Sequence, residues 1–492
     1  MALPPSGSAS GAWRHGARLL LPACALGLLA GCHLPAAHYP VDCPGTSTSA
    51  CSRTLACQLV RDSTAAFVYR PVQTVGEVVA VPSSNIIRVS QGAFEKRVIL
   101  PLRQPLGPVV QCQASQDAPP DFASLPPDQG EFQPAHVQLY VDGARALAAL
   151  ETVIDQATSS IDVLMFQWES DPVGAAIAER LAAKARQQVR VRVLVDGGGN
   201  LCFGHPAPGH EEDVNGAVRK LARCCNVEVI RNRNPFFRFD HRKVVIADGR
   251  VVWSGGRNFL ERAFLDQHDL SFTVEGPLVS PFLECFERSW REEGGSPGPC
   301  HGPPSVCESA LAVDHNAWNA AGRLVLTEPA QPQIERSLYA AVDRACHHVY
   351  MENFTFSDSC LLYKLAQARR RGVDVRVVTT LEATTPIINH TNRVTANRLL
   401  RAGIRVYLYP RMTHVKAAVI DKCWAYIGTA NFDPLSLRRN HELGLVVCAC
   451  PLVDELQAEL FLPDFCPEWE LTKPLVCSPR DYLCEMISSL CL

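Results

Sequence analysis

Two stretches of this chain share one eight-residue form, and the residues after each stretch keep the same register. His241-Arg242-Lys243-Val244-Val245-Ile246-Ala247-Asp248 and His414-Val415-Lys416-Ala417-Ala418-Val419-Ile420-Asp421 both read HxKxxxxD. Counted from each histidine, Lys lies at +2, Asp at +7, Gly255 and Gly428 at +14, Asn258 and Asn431 at +17, and the acids Asp269 and Glu442 at +28. One HxK alone means little, because a core histidine beside a surface lysine is common. Six positions in common register mean an internal duplication, and a duplication predicts two similar folding units.

The hydrophobic pattern around the motifs agrees. Val137–Val141, Ser160–Phe166 and Val189–Val195 read as strands, with helical spacing over Ala144–Ala157 and Val173–Arg186 between them. The same order returns with Arg323–Leu326, Ile334–Ala345, His348–Met351 and the passage Ala368–Val377. Strands and helices alternating at these lengths predict an α/β fold, a sheet with helices on its faces. Gly294–Pro304, dense in Gly and Pro, reads as the linker between the copies. The predicted division is 135–295 for the first domain, 296–322 for the linker, 323–465 for the second domain and 466–492 for a tail.

Upstream, Arg14 and Arg18 precede an apolar run from Leu19 to Ala30 that is too short to span a bilayer, ending in Leu29-Ala30-Gly31-Cys32. Residues 1–31 therefore read as a lipoprotein-type signal peptide, with Cys32 as the lipidated residue. His33 is not the Asp that marks inner-membrane retention. The expectation is a bacterial envelope protein, anchored by lipid on the periplasmic side of the outer membrane. Residues 32–134 contain β-like runs at Gly76–Val81 and Arg97–Leu100, which predict a small strand-rich piece of unreadable role. Twenty-one cysteines fit export, as structural disulfides or buried thiols. No CxxC pair occurs, so a zinc site is not expected.

A formal charge of −3 offers no general attraction to nucleic acid. Basic residues do crowd one stretch, Arg219, Lys220, Arg223, Arg231, Arg233, Arg238, Arg242 and Lys243. That run reads either as a solvated face or as a basic rim for an anionic substrate.

Residues two apart on a strand face the same way, so His241 with Lys243, and His414 with Lys416, can reach one pocket. Phosphodiester chemistry has a use for each residue type. Lys243, Lys416, Asn258 and Asn431 can supply cations and hydrogen-bond donors to phosphoryl oxygens. A neutral imidazole can attack phosphorus while a protonated one donates to the leaving oxygen. Asp269 and Glu442 are assigned as the carboxylates that orient the histidines. Asp248 and Asp421, at the strand ends, suit a structural role at least as well as a catalytic one. Gly255 and Gly428 end a strand in a turn that presents the asparagines.

With these residues the chain resembles the phospholipase D superfamily over roughly 135–465. It is most similar to the cardiolipin synthase branch, through Gly428-Thr429-Ala430-Asn431-Phe432-Asp433 up to Asn440-His441-Glu442 and through Ser254-Gly255-Gly256-Arg257-Asn258. Asp240 stands where that branch commonly has Asn, and Pro434-Leu435 where Pro-Arg is common. The resemblance implies two α/β/α domains with mixed central sheets, related by a pseudo-two-fold axis. It also implies a phosphatidyltransferase that works through a covalent phosphohistidine, with no cofactor or metal. The implied substrate is a phospholipid, phosphatidylglycerol first, and the implied surroundings are a membrane. Hydrolysis at the same site is the alternative. A nuclease or a non-catalytic membrane scaffold ranks behind both.

Overall fold

The computed structural model describes residues 48–75, 78–79, 83, 122, 131–204, 215–296, 318–329, 331–448 and 450–491. The predicted signal peptide, Cys32 and most of the predicted linker lie outside them. Before residue 134, residues 48–75 fold into two helices. Helix α1 spans Thr48–Tyr69 and a short helix follows at Pro71–Val75. Thr48–Tyr69 contains neither Gly nor Pro, which lets a helix run unbroken. The run Gly76–Val81 lies mostly outside the described residues, and Arg97–Leu100 wholly outside them. Buried Asp62 ties α1 to the body, accepting from Arg231 at 3.1 Å and from the Asn234 backbone N–H at 3.1 Å.

The first copy comprises β1 (Gln133–Tyr140), α2 (Gly143–Gln156), β2 (Ser160–Met165), α3 (Pro172–Arg186), β3 (Arg190–Asp196), β4 (Val227–Asn232), β5 (Lys243–Ala247), β6 (Val251–Gly255), β7 (Ser271–Glu275) and α4 (Val279–Glu292). The second comprises β8 (Ala320–Glu328), α5 (Gln333–Arg344), β9 (His348–Asn353), α6 (Ser359–Arg370), β10 (Asp374–Thr380), α7 (Pro386–Arg401), β11 (Arg405–Tyr409), β12 (Lys416–Ile420), β13 (Trp424–Gly428) and β14 (Glu442–Val447). A C-terminal helix, α8, spans Pro479–Cys491. Asp142, Asp171 and Asp358 cap α2, α3 and α6 by accepting a backbone N–H three residues on, so these helix starts are written locally.

All these strands form one mixed sheet in the order β11-β10-β9-β12-β13-β14-β8-β1-β7-β6-β5-β2-β3-β4. Outward from the central β1–β8 seam, both arms repeat one plan. Three antiparallel strands follow the seam strand, and three parallel strands close each edge. The seam itself is antiparallel, pairing Gln133 with Gly322 and Ala135 with Ala320. One apolar core runs through it, joining Leu139, Phe272, Phe282 and Trp290 to Val419, Leu445 and Phe461. Each arm has its own second core on the opposite face. Strand pairing and a shared core across the seam pack the two copies against each other.

Candidate active site

Both motif histidines stand just before a buried strand, His241 before β5 and His414 before β12. Two isolated parallel bridges join the segments that carry them to the segments that carry the +28 acids, Asp240 with His441 and His268 with Thr413. The His241 N–H donates to the His441 carbonyl at 2.9 Å, and the His414 N–H to the His268 carbonyl at 2.7 Å. The residue after each bridge partner is the acid. Glu442 therefore meets His241 and Asp269 meets His414, each acid serving the histidine of the other copy.

The contacts are direct. Nδ1 of His241 lies 3.0 Å from Oε2 of Glu442, and Nδ1 of His414 lies 2.8 Å from Oδ2 of Asp269. A carboxylate has no donor, so a neutral imidazole holds this contact only with its proton on Nδ1, which leaves the Nε2 lone pair free. Burial pushes both imidazoles down from their ordinary value. For His414 burial, then Lys416, bring it to about 3 against the pull of Asp269. For His241 the attraction of Glu442 only partly offsets burial, and Lys243 and Lys416 add to it. Burial alone would protonate Asp269 and Glu442, but the facing histidines and lysines outweigh it and keep both ionised.

The two lysines are buried as well, Lys243 wholly. Each Nζ donates to the carbonyl of its own motif histidine, at 2.6 Å for Lys243 and 2.5 Å for Lys416. Burial brings Lys243 down to about 7 and Lys416 to about 8, with mutual repulsion adding to the shift of Lys243. Two buried lysines brought close to their titration point suit the binding of an anion, whose charge would favour their protonated form. The Oδ1 atoms of Asn258 and Asn431, the asparagines at +17, are buried with no hydrogen-bond partner among the described residues.

Close backbone packing explains the glycines. A Cβ on Gly255 (φ +135°) would sit 2.3 Å from the Leu270 carbonyl oxygen, and one on Gly428 would sit 2.5 Å from that of Leu443. These approaches let β7 and β14 bring their leading acids in. Asp248 and Asp421 lie away from the chemistry, both at φ +53° in turns. Asp248 accepts the backbone N–H groups of Thr158, Ser159 and Ser160 at 2.7–2.9 Å, and Asp421 those of Cys346, His347 and His348 at 2.7–2.8 Å. They fasten the motif hairpin to the start of the neighbouring strand.

Four residues of the site were not singled out in the sequence. Phe166 and Phe354 follow β2 and β9 at matching positions, with rings 4.5 Å from that of His241 and 5.5 Å from that of His414. An aromatic at the same place in both copies was the signal available. Thr429 donates to Glu442 at 2.6 Å, whereas its counterpart Gly256 leaves room for Asp269, whose Oδ1 lies 2.1 Å from where a Cβ would be. The basic run is neither a solvated face nor a rim throughout. Arg231 pairs with Asp62, Arg233 with Glu293, and fully buried Arg242 with Asp240, which explains the departure at position 240. Cys202, Cys224, Cys225, Cys285, Cys466, Cys477 and Cys484 carry free thiols.

One further cluster lies behind His414. His268, Glu352 and Asp464 bring ligand-type atoms within 4.8 Å of one another. His268 contacts Asp464 at 2.8 Å and Thr413 donates to Glu352 at 2.5 Å. Burial, then the neighbouring Asp464, hold Glu352 well above the usual carboxyl range, so it keeps its proton. A protonated carboxyl hydrogen-bonded in place describes this group better than a cation cage does.

Residues 150–290 and 338–461 match the family described as cardiolipin synthase, PLD-like domain. Cardiolipin synthase B of Salmonella typhi is 29% identical over 334 residues, covering 63% of this chain and 76% of that one. Cardiolipin synthase B of Escherichia coli K12 is 29% identical over 338 residues with the same coverage. The crystal structure of phosphatidylserine synthase from Haemophilus influenzae Rd KW20 superposes with a TM-score of 0.57 at 13% identity, over 74% of this chain and 95% of that one. That likeness shows the shared fold.

Proposed function

This chain belongs to the family of cardiolipin synthase PLD-like domains, and from that premise we propose that it is a phosphatidyltransferase acting on phosphatidylglycerol through a phosphohistidine. The observation that carries the reading is the pair of buried histidine–carboxylate contacts, made crosswise between the copies and flanked by two lysines.

In the proposed first half-reaction, Nε2 of one histidine attacks the phosphorus. The bond from phosphorus to the glycerol headgroup breaks, and the other histidine, protonated, gives its proton to the departing oxygen. In the second half-reaction that histidine takes the proton of an incoming hydroxyl, whose oxygen attacks phosphorus as the phosphorus–nitrogen bond breaks. Lys243, Lys416, Asn258 and Asn431 hold the non-bridging oxygens throughout. Glu442 and Asp269 keep each Nδ1 protonated and balance the imidazolium when it forms. With phosphatidylglycerol as acceptor the products are cardiolipin and glycerol. With water the product is phosphatidate, the alternative reading at the same site.

The expectations for the N-terminus belong to this proposal. Lipid on Cys32 would hold the enzyme at the envelope membrane, and loss of labelled acyl chain from a Cys32→Ala variant tests it. Among the described residues no helix is long and apolar enough to cross a membrane.

The deciding experiment incubates purified protein with phosphatidylglycerol and resolves the lipids by chromatography. Cardiolipin with equimolar glycerol is the expected result. Phosphatidate alone would replace transfer by hydrolysis, and turnover of DNA without either lipid product would overturn both.

A further inference from the structure

The C-terminal helix is amphipathic the wrong way round. On α8, Asp481, Glu485, Ser488 and Ser489 are buried, at 4%, 5%, 1% and 4% exposure. Tyr482, Leu483, Met486 and Ile487 face outward, at 47%, 53%, 50% and 39%. The buried positions follow one helical stripe and the exposed ones the next. A helix settled in water buries the second set and solvates the first.

The inward polar face is fully engaged with α7. Asp481 contacts His390 at 2.7 Å, Glu485 pairs with Arg398, and Ser488 meets Thr391 at 2.7 Å. These contacts fix the rotation of α8, so the apolar stripe cannot roll inward without breaking the Glu485–Arg398 ion pair and the Asp481–His390 and Ser488–Thr391 contacts. The same pairing removes both acids from the outer face. Over residues 473–489 the exposed charges are Lys473 and Arg480, both positive, and Val476 between them is 90% exposed.

Its place in the fold matters. Helix α7, on which α8 lies, carries Ile388, which packs with Phe354. The Phe354 ring is 5.5 Å from that of His414, and Ser489 donates to the Ser357 carbonyl on the same segment at 3.2 Å. The outward apolar stripe therefore sits one helix away from the second half-site. It also lies beyond the family match, which ends at residue 461.

We propose that α8 is an interfacial helix that docks the enzyme on an anionic phospholipid surface beside the His414 half-site. Thirteen residues make a helix about 20 Å long, too short to cross a bilayer but suited to lying in its headgroup plane. Lys473 and Arg480 complement the negative surface while the stripe enters the acyl boundary. A second copy is the weaker occupant, because four half-exposed side chains fall well short of the ~800 Å² per partner of a standard protein interface. The choice of lipid as partner rests on the phospholipid reading of the site.

The test uses the full chain with Cys32→Ala throughout, so that lipid on Cys32 cannot hold it on vesicles, and compares this otherwise wild-type parent with two variants, Leu483→Glu/Ile487→Glu and Tyr482→Trp. Co-sedimentation is measured with vesicles of phosphatidylglycerol and phosphatidylcholine, against phosphatidylcholine alone. The parent is expected to favour the anionic vesicles and to be released by salt. The double variant, with an unchanged thermal midpoint, is expected to bind at least ~10-fold more weakly. It should lose turnover on vesicles yet keep turnover of monomeric short-chain phosphatidylglycerol. Brominated phosphatidylglycerol should quench the Tyr482→Trp variant beyond the parent. Unchanged vesicle binding in the double variant, or no added quenching, overturns the proposal. A parent dimer that the double variant converts to monomer assigns the face to a second copy and overturns it too. Vesicle binding is read without turnover, so an enzyme with no activity on phosphatidylglycerol can still dock through α8, and that outcome fails the proposed function alone.

Discussion

Lys243 and Lys416 are held in a place that disfavours their charge, at about 7 and about 8, and this has consequences for both pH and stability. Binding a phosphodiester needs them protonated, so kcat/KM should fall on the alkaline side through those values, which a pH–rate profile checks. The stability sign runs the other way. A lysine lowered on folding costs most at and below its folded value, and the cost fades as pH rises toward 10.5. Lys243→Met should abolish turnover while raising stability by about 1–2 kcal/mol, more at pH 6 than at pH 9, by thermal unfolding. At the histidines, His241→Ala and His414→Ala should each reduce turnover at least ~10³-fold, because neither pair works alone. The crossed acids give a sharper test. Glu442→Gln should move the imidazole resonances and titration of His241 and leave those of His414 nearly in place, with Asp269→Asn doing the reverse. A shift at the histidine of the same copy would contradict the crossed geometry. The paired histidines, lysines and acids were readable from the offsets, whereas Phe166, Phe354, Thr429 and Gly256 were not. The crossing was not, because each contact spans more than a hundred residues of chain, His241 to Glu442 and His414 to Asp269.

At the level of elements, the strands and helices around the motifs follow from local pattern, with caps at Asp142, Asp171 and Asp358. The motif aspartates belong to this scale. Burial tends to raise Asp248, but the hydrogen bonds from Ser160, Ser159 and Thr158 outweigh it and hold the carboxyl well below its usual range. Asp248→Ala should cost about 2–3 kcal/mol in chemical denaturation while leaving the folded enzyme's kcat within a few-fold. The stability that Asp248 supplies is present above the ordinary aspartate value and is lost as pH falls through the lowered one. Loss of kcat at unchanged stability would instead make it catalytic. Before residue 134 the β-like runs lie mostly or wholly outside the described residues, while the segment Thr48–Tyr69 is helical and anchored by Asp62, a long-range ion pair that no window of sequence displays.

For the whole molecule, the β1–β8 seam is what makes one centre from two copies. It runs through a shared core, and the two bridges beyond it carry each acid across. Residues 131–296 and 318–491 produced separately should therefore each be inactive, and co-expression should restore turnover only when they associate, as read by co-purification. Activity in either half alone would remove the paired centre. From sequence came the duplication, the six positions in common register and the α/β plan, because repeats and periodicity are properties of the chain itself. Tertiary structure alone decided which acid serves which histidine, how far burial shifts the lysines, that Asp248 and Asp421 are fasteners, and that α8 turns its apolar side outward. Each depends on what surrounds a side chain in space, and the neighbours that matter here lie tens to hundreds of residues away.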